Sequence, residues 1–152
     1  MPTDGRPRQQ VVEFDATKHI CFNLGKVVRR VYNLYHQPLA KYGLTPSQLF
    51  VFSALWMEDG INFSDLASRV SIDVSTLTGI IDRMEREGFV ERKPDPRDRR
   101  SIRLFLTQNA KETGPAILML ADDLDAVLRR PFSQEEMETF ERVLRALAEK
   151  ED

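Results

Sequence analysis

The segment from Ser64 to Leu106 constrains the fold more than any other part of the sequence, because it places two short helices, a tight turn and two extended runs in direct succession. Apolar residues three and four positions apart predict one helix over 64–70 and a second over 74–87. Ser71-Ile72-Asp73 forms the turn, and Asp73 suits the N-cap of the second helix. Two helices joined by a tight turn, the second with a polar outer face, are typical of a helix-turn-helix.

Two predicted strands follow the second helix. Phe89–Lys93 forms the first and Ser101–Leu106 the second, where alternation places Ile102, Leu104 and Leu106 on one face. A proline-rich basic loop joins the two strands into a hairpin. A hairpin directly after a helix-turn-helix predicts a winged helix.

Helices are also expected on both sides of this unit. Apolar spacing predicts a long helix over 17–42, with a kink or break at Pro38, after a loose arm over residues 1–13. A capping box starting at Thr45 begins the next helix, whose inner face is expected to hold Leu49, Phe52, Ser53 and Trp56.

Two further helices are predicted after the hairpin. Thr107 caps the first, which Gly114-Pro115 is expected to bend, and Ser133-Gln134-Glu135-Glu136 is a capping box for the second. The second helix carries an apolar seam with heptad-like spacing, formed by Met137, Phe140, Leu144 and Leu147. Because monomers rarely expose a large apolar stripe, this seam calls for a partner surface. The fold class is therefore mostly α with a small β-hairpin.

Composition narrows the class of protein. No run reaches the roughly 20 apolar residues of a membrane span, and the polar N-terminus lacks a signal-peptide core. The single cysteine, Cys21, makes a reducing cytoplasm the default location. Only Cys21, His19 and His36 offer soft or borderline metal ligands, so we expect no metal and no cofactor. The chain has no glycine-rich phosphate loop and no nucleophile–base spacing, so we expect no enzymatic activity.

The charge is unevenly distributed. The chain has 22 Lys and Arg against 24 Asp and Glu, a net charge of −2. Residues 108–152 hold 6 basic and 11 acidic side chains, which leaves a balance of +3 in residues 1–107. Between Arg92 and Arg103 six basic residues face only Asp95 and Asp98. Because salt screens charges beyond about 10 Å, this local cluster decides attraction to phosphates more than the net charge does.

The order of these parts resembles the MarR family of winged-helix transcriptional regulators. The most specific stretch runs from Leu77 to Arg92 and contains Glu87-Gly88-Phe89-Val90-Glu91-Arg92, and it is followed by Asp95-Pro96-Arg97-Asp98-Arg99-Arg100 and Leu104-Phe105-Leu106-Thr107. The resemblance covers about residues 18–150. One departure is Ala110, where similar sequences usually carry glycine.

The resemblance implies a homodimer that binds a palindromic DNA operator, most often as a repressor released by a small ligand or by oxidation. It implies dimerisation helices over 17–43 and 108–150 and a winged helix-turn-helix domain over 45–107. The implied DNA-binding residues are Ser75, Thr76, Thr78, Gly79, Arg83, Arg86, Arg97, Asp98, Arg99 and Arg100. Among them, hydroxyls suit base edges in the major groove, and Arg100, braced by Asp98, suits the minor groove.

The effector is less constrained by the sequence. A small apolar or aromatic ligand would lie between the dimerisation helices and the winged helix, with candidate walls at Phe22, Lys26, Tyr35, Phe52 and Trp56. A plain hydrophobic core is the competing interpretation for most of these residues.

Two alternative functions remain. In one, Cys21 senses peroxide, since similar sensors carry a cysteine at this place; Tyr35 matches their pattern, whereas Gly25 and Pro46 replace expected tyrosines. In the other, the winged helix binds protein rather than DNA, although such a module would not need Arg97, Arg99 and Arg100 together.

Overall fold

A computed structural model describes residues 13–149; the arm expected over residues 1–13 lies outside this range except for Glu13. The fold is mostly helical with one small sheet, as predicted. After a 3-10 helix over Ala16–Lys18, the elements in chain order are α1 (Ile20–Ala40), α2 (Pro46–Met57), β1 (Ile61–Asn62), α3 (Phe63–Arg69), α4 (Val74–Arg86), β2 (Val90–Pro94), β3 (Ile102–Leu106), α5 (Gln108–Arg129) and α6 (Gln134–Ala148).

The first helix differs from its predicted bounds of 17–42. The chain leaves helical geometry at His19, which is extended, and so separates the 3-10 turn from α1. Helix α1 continues through Pro38 and ends two residues later at Ala40. Pro38 has no N–H to donate to the preceding turn, but it lies in the last turn of α1, so the lost bond falls at the end of the helix.

Helix α2 begins at the predicted capping box, with Thr45 and Gln48 bonded reciprocally. Its predicted inner face is only partly correct. Leu49 and Phe52 are buried, but Trp56 is 39% exposed, whereas Val51 and Leu55, which were not assigned inward, are fully buried. The reason is that α2 packs against α1, α3, α4 and β3 and is therefore enclosed on several sides.

The sheet has three antiparallel strands in the order β1-β3-β2. The predicted hairpin is confirmed, with Val90 opposite Leu106 and Pro94 opposite Ile102. Strand β1 was not predicted, since two residues are too short to show a period; Ile61 pairs with Leu104. Ile102 was expected on the inner face but is exposed, because it lies at the tip of the hairpin beyond the core.

The buried apolar core belongs almost entirely to the central region. Seventeen of the twenty buried apolar residues in the described chain lie between Leu44 and Leu106. Helix α5 begins after Thr107 as predicted, with Ala110 fully buried, so the departure from glycine there does not disturb the helix start. Helix α6 begins at the predicted capping box and has no buried residue among those described.

Candidate nucleic-acid interface

Helix α4 presents a polar face to solvent because its apolar residues fix its orientation. Its buried side is formed by Leu77, Ile80, Ile81 and Met84. Asp73 caps the helix by accepting the Thr76 N–H at 2.8 Å, and the Thr76 hydroxyl and N–H together lower the pKa of Asp73. The six sequence-predicted DNA-binding residues of this helix are all exposed: Ser75, Thr76, Thr78, Gly79, Arg83 and Arg86.

Two hydroxyl groups on the polar face of α4, those of Thr76 and Thr78, donate hydrogen bonds within the fold. The Thr76 hydroxyl donates to Asp73 at 2.6 Å, and the Thr78 hydroxyl donates to the carbonyl of Val74 at 2.7 Å. Their oxygen lone pairs still face solvent and can accept hydrogen bonds. A Cβ atom added at Gly79 would meet no atom within 4 Å, so packing within the chain does not explain this glycine. This open surface allows close approach by a large ligand.

Strand β2 is tied to α4 by Arg92. Its guanidinium pairs with Asp82 and with Glu85, both on α4. Asp82 and Glu85 lie on the same helix as Arg83 and Arg86, where charges three or four positions apart can pair. In the structure they pair with the strand instead, and Arg83 bonds only the carbonyl of Gly79, at 3.2 Å. Arg92 therefore holds the hairpin against the helix and leaves Arg83 and Arg86 facing outward.

The six basic residues between Arg92 and Arg103 separate into two groups. Three are engaged within the fold: Arg92 pairs with α4, Lys93 pairs with Glu91 at 2.6 Å, and Arg103 pairs with Asp95 at 2.6 Å. The other three are Arg97, Arg99 and Arg100, which are exposed and form no ion pair with any residue of the described chain. The loop between β2 and β3, which we call the wing loop (residues 95–101), thus concentrates unpaired positive charge.

Asp98 contacts the backbone of the wing loop rather than a guanidinium. Its carboxylate accepts the N–H of Arg100 at 3.0 Å. The N–H of Ser101 donates to the carbonyl of Asp98 at 2.9 Å, which closes a tight turn. Asp98 therefore orients the chain at Arg100 while leaving that side chain free in solvent.

The helix-turn-helix, the packed helix α4 and the basic wing loop together match a known protein family. The family model described as the MarR family matches residues 44–102, which contain α2 to the tip of the wing. The chain belongs to the MarR family. It is therefore a DNA-binding transcriptional regulator, and its relatives are regulators rather than enzymes.

Individual relatives of this MarR-family chain cover most of its length. The transcriptional regulator SarZ of Staphylococcus haemolyticus is 29% identical over 108 residues, which are 71% of this chain and 74% of SarZ. The PcaV regulator of Streptomyces coelicolor has the same fold, with a TM-score of 0.80 at 23% identity over 90% of this chain and 96% of PcaV. AbfR, solved bound to DNA in an overoxidised form, has a TM-score of 0.69 at 25% identity over 84% of this chain and 89% of AbfR.

The candidate effector residues of this MarR-family protein fall into two groups within a single chain. Phe52, Trp56 and Tyr35 form one group, and Phe22 and Lys26 form the other. Phe52 is fully buried and stacks on Trp56 with ring centroids 6.0 Å apart. Tyr35 donates from its hydroxyl to the carbonyl of Ala121 at 3.3 Å, and burial followed by the charges of two α5 aspartates raises its pKa. Phe22 lies under the Lys26 ammonium, 5.7 Å from ring centroid to nitrogen.

These two groups do not share one cavity within one chain. Phe22 and Tyr35 are 13 residues apart on α1, which corresponds to about 20 Å along the helix. Their joint role in an effector site therefore stays a prediction that requires a second subunit or a different conformation.

Cys21 is exposed at the N-terminal end of α1. His19, two residues before Cys21, stacks on Phe14 with ring centroids 4.4 Å apart. The Tyr35 hydroxyl is bonded to α5 and lies 14 residues away along α1, about 21 Å. Within one chain, no tyrosine of the described residues donates to Cys21.

Between residues 13 and 149, no three His, Cys, Asp or Glu side chains are grouped as metal ligands would be. No helix in that range combines the length and the apolar character needed to cross a membrane.

Several residues that shape the site were not predicted. Arg92, Asp95 and Arg103 were counted as charges, but their ion pairs join residues 7 to 10 positions apart, and Arg103 also donates to the carbonyl of Gly60, 43 positions away. No local period reveals these contacts. Arg103 lies opposite Lys93 in the hairpin, so Asp95, two residues further along, is its diagonal neighbour on the same face. The alternation of the hairpin could have indicated this diagonal pair.

Proposed function

We propose that the chain is a homodimeric repressor that binds a palindromic operator and is released from it by a small apolar or aromatic ligand. The observation that carries the DNA-binding part is the exposed polar face of α4, tied through Arg92 to a hairpin whose wing loop has three arginines without an ion pair among residues 13–149. A solvated surface without a nucleic-acid partner has no need of this charge on a rigid hairpin.

The roles of the residues follow from their positions. Ser75, Thr76 and Gly79 meet base edges in the major groove, with Thr78 at the border of the contact. Arg83 and Arg86 bind phosphates or guanines. In the wing loop, Arg100 enters the minor groove with Asp98 bracing its backbone, while Arg97 and Arg99 bind phosphates; a narrow minor groove attracts arginine through its negative potential.

The dimer is supported by the helices that the core does not cover. The α6 seam leaves Phe140 45%, Leu144 37% and Leu147 53% exposed. Charge is complementary as well, since α1 holds three basic residues and no acidic one, whereas α6 holds four glutamates and two arginines. We propose the dimerisation helices at 17–43 and 108–150 and the DNA-binding domain at 45–107, acting in the cytoplasm.

The DNA-binding proposal is tested with Arg100→Ala. Removing this side chain is expected to weaken binding by about 1–3 kcal/mol, the range for an arginine that reads a groove. The probe is a palindromic duplex that the wild-type protein selects from a random-sequence library, followed by fluorescence anisotropy. Lys93→Ala is the matched control, because it removes the same charge from the same hairpin but Lys93 is already paired with Glu91. Equal affinities for Arg100→Ala and wild type, with both folded, would refute the proposal.

Release by a ligand is supported by the fold neighbour PcaV, which was solved in complex with its natural ligand. A ligand that prefers a conformer with mismatched spacing of the two α4 helices lowers DNA affinity by its differential binding free energy. Phe52 and Trp56 of α2 stack on each other, and the Trp56 ring lies against Gly114 of α5; we propose that this pair supplies one wall of the ligand site.

Peroxide sensing is the second candidate, favoured by the exposure of Cys21 and by the overoxidised form of AbfR. Wild type and Cys21→Ser are compared on the selected duplex with and without an organic hydroperoxide. We expect the same response from both proteins, because no tyrosine among residues 13–149 of the same chain donates to the Cys21 thiol, and such donors stabilise a thiolate. Release of wild type but not of Cys21→Ser, reversed by reductant, would make Cys21 the sensor.

A further inference from the structure

We propose that Asp95 is a positioning residue for operator binding, which holds the wing loop in its DNA-binding shape without touching DNA. This inference rests on the proposed function, since it needs the wing arginines to contact DNA. Asp95 is 8% exposed and is the only buried charged residue in the described chain. A buried carboxylate at the base of a loop built to meet phosphates needs a structural reason, because burial of an unpaired charge is strongly unfavourable.

Both carboxylate oxygens of Asp95 are engaged. Oδ1 accepts the backbone N–H of Arg97 at 2.8 Å, and Oδ2 accepts from Nε of Arg103 at 2.6 Å. The backbone N–H of Asp95 also donates to the carbonyl of Ser101 at 2.9 Å. One residue therefore connects the first half of the wing loop, its last residue and strand β3.

Arg103 extends the connection to a third segment. Its Nη1 donates to the carbonyl of Gly60 at 2.9 Å, in the turn between α2 and β1. Gly60 has a φ of +78°, and a Cβ atom there would come within 2.7 Å of the Phe105 ring, so this turn is closely packed on β3. The wing loop is thereby anchored to the body of the DNA-binding region through one carboxylate–guanidinium pair.

This anchoring restrains the part of the wing loop that carries the three arginines without an ion pair in the described chain. Arg97, Arg99 and Arg100 follow Asp95 within five residues, and Arg97 is fixed through its own N–H. Without the pair of Asp95 and Arg103, the wing loop would have to become ordered when DNA binds, and this ordering costs conformational entropy. A loop that is already ordered before binding does not lose that entropy on binding. Affinity would fall although no DNA-contacting group is lost.

Because Asp95 is negatively charged, a positioning role and simple electrostatics predict opposite changes in DNA affinity when it is neutralised. A carboxylate near phosphates repels them, so removing it on electrostatic grounds alone would strengthen binding. A positioning role predicts the opposite result, because the geometric loss outweighs the gain in charge.

The experiment compares Asp95→Asn with Glu91→Gln on the duplex selected by wild type. Both variants raise the net charge by one on the same hairpin, and both break an ion pair, since Glu91 pairs with Lys93. Asp95→Asn is expected to bind about tenfold more weakly, while Glu91→Gln binds as well as wild type or better. The dependence of log affinity on log salt should be shallower for Asp95→Asn, because fewer phosphates are engaged. Equal behaviour of the two variants overturns the proposal.

The partner residue supplies a second test. Arg103→Gln should reproduce the weaker binding and the shallower salt dependence, and the double variant Asp95→Asn/Arg103→Gln should be no weaker than either single variant. Additive losses would mean that Arg103 contacts DNA independently and would overturn the proposal.

Folding and function are controlled separately. Urea unfolding establishes that each variant is native at the temperature of the binding measurement; if Asp95→Asn is not, Arg103→Lys replaces it, since it keeps the charge but loses the forked geometry. Failure of Arg100→Ala to weaken binding would remove the proposed DNA contact itself. Weaker binding by Arg100→Ala, with Asp95→Asn equal to Glu91→Gln, would remove only the positioning role.

Discussion

The central region from Leu44 to Leu106 and the helices outside it differ in how they use apolar residues. The central region encloses seventeen buried apolar side chains around α2, α3, α4 and the sheet, whereas α6 buries none. Exposed large apolar residues concentrate instead on the outer helices, where they include Ile20, Val27, Val28, Phe140, Val143 and Leu147. The central region therefore forms a complete apolar core, whereas the outer helices present an apolar surface that a partner surface would have to cover.

This difference means that stability and assembly should be separable by mutation. Substitutions in the central core should lower the free energy of unfolding of each chain. Substitutions on the outer helices should act on association and, through it, on operator binding, because two recognition helices about 34–36 Å apart require two chains.

The largest effect is expected for Leu144→Glu. In the proposed dimer, a carboxylate in the middle of the α6 seam would be buried without a partner, so the protein should become a monomer near 17.6 kDa and lose operator binding. Light scattering and anisotropy measure the two losses. Met57→Glu is the matched control, since Met57 is 81% exposed on α2, outside the seam. A dimeric Leu144→Glu protein, or a monomeric wild type, would contradict the comparison.

A core substitution gives the complementary result. Leu77 is fully buried on α4, so Leu77→Ala should lower the free energy of unfolding by about 2–5 kcal/mol. Chemical denaturation at several protein concentrations separates this loss from dissociation. Leu144→Ala removes the same atoms from the seam, and its effect should appear as a concentration-dependent midpoint. If both variants showed the same concentration dependence, the two regions would not be separate.

The boundaries of these elements were largely readable from the sequence because they are set by local chemistry. Thr45, Asp73, Thr107 and Ser133 each cap the helix predicted for them, since a cap needs only a side-chain oxygen within three residues of the backbone donor.

Contacts between distant segments could not be read in the same way. The pair of Asp95 with Arg103 and the bond of Arg103 to Gly60 depend on how strands and turns meet. Trp56 was assigned to a simple inner face, yet its ring lies against the backbone of α5 at Gly114. A helical period predicts which face is apolar but does not specify which partner it meets.

Gly114→Ala tests the junction between the two regions. A Cβ atom at Gly114 would lie 2.1 Å from Trp56 Cζ3, so the ring must move, at an expected cost of about 1–3 kcal/mol in unfolding free energy. Trp56 is the only tryptophan, so its fluorescence should report the shift directly. Gly79→Ala is the control with the opposite sign: its Cβ meets nothing within 4 Å, and alanine favours a helix by about 0.5–1 kcal/mol. An unshifted spectrum and unchanged stability for Gly114→Ala would show that the junction is loose.

The smallest effect is expected from the caps at low pH. Hydrogen bonds from Thr76 lower the pKa of Asp73, and hydrogen bonds from Thr17 lower the pKa of Asp15, both below the ordinary value of 3.8. A carboxyl whose pKa is lowered by folding stabilises the native state above its unfolded pKa and loses this contribution as pH falls through its folded pKa. Asp73→Asn should therefore unfold at lower urea than wild type at pH 7, and the two midpoints should converge below about pH 3.8.

The matched variant Asp15→Asn distinguishes the two regions. Asp15 caps a three-residue 3-10 helix without a buried residue, whereas Asp73 caps α4, which carries four. Local opening of an element that contributes nothing to the core does not enter the global unfolding transition. Asp15→Asn should thus leave the urea midpoint unchanged at every pH, although its cap has the same chemistry. A midpoint that falls equally in both variants at pH 7 would mean that the segment before α1 unfolds together with the central core.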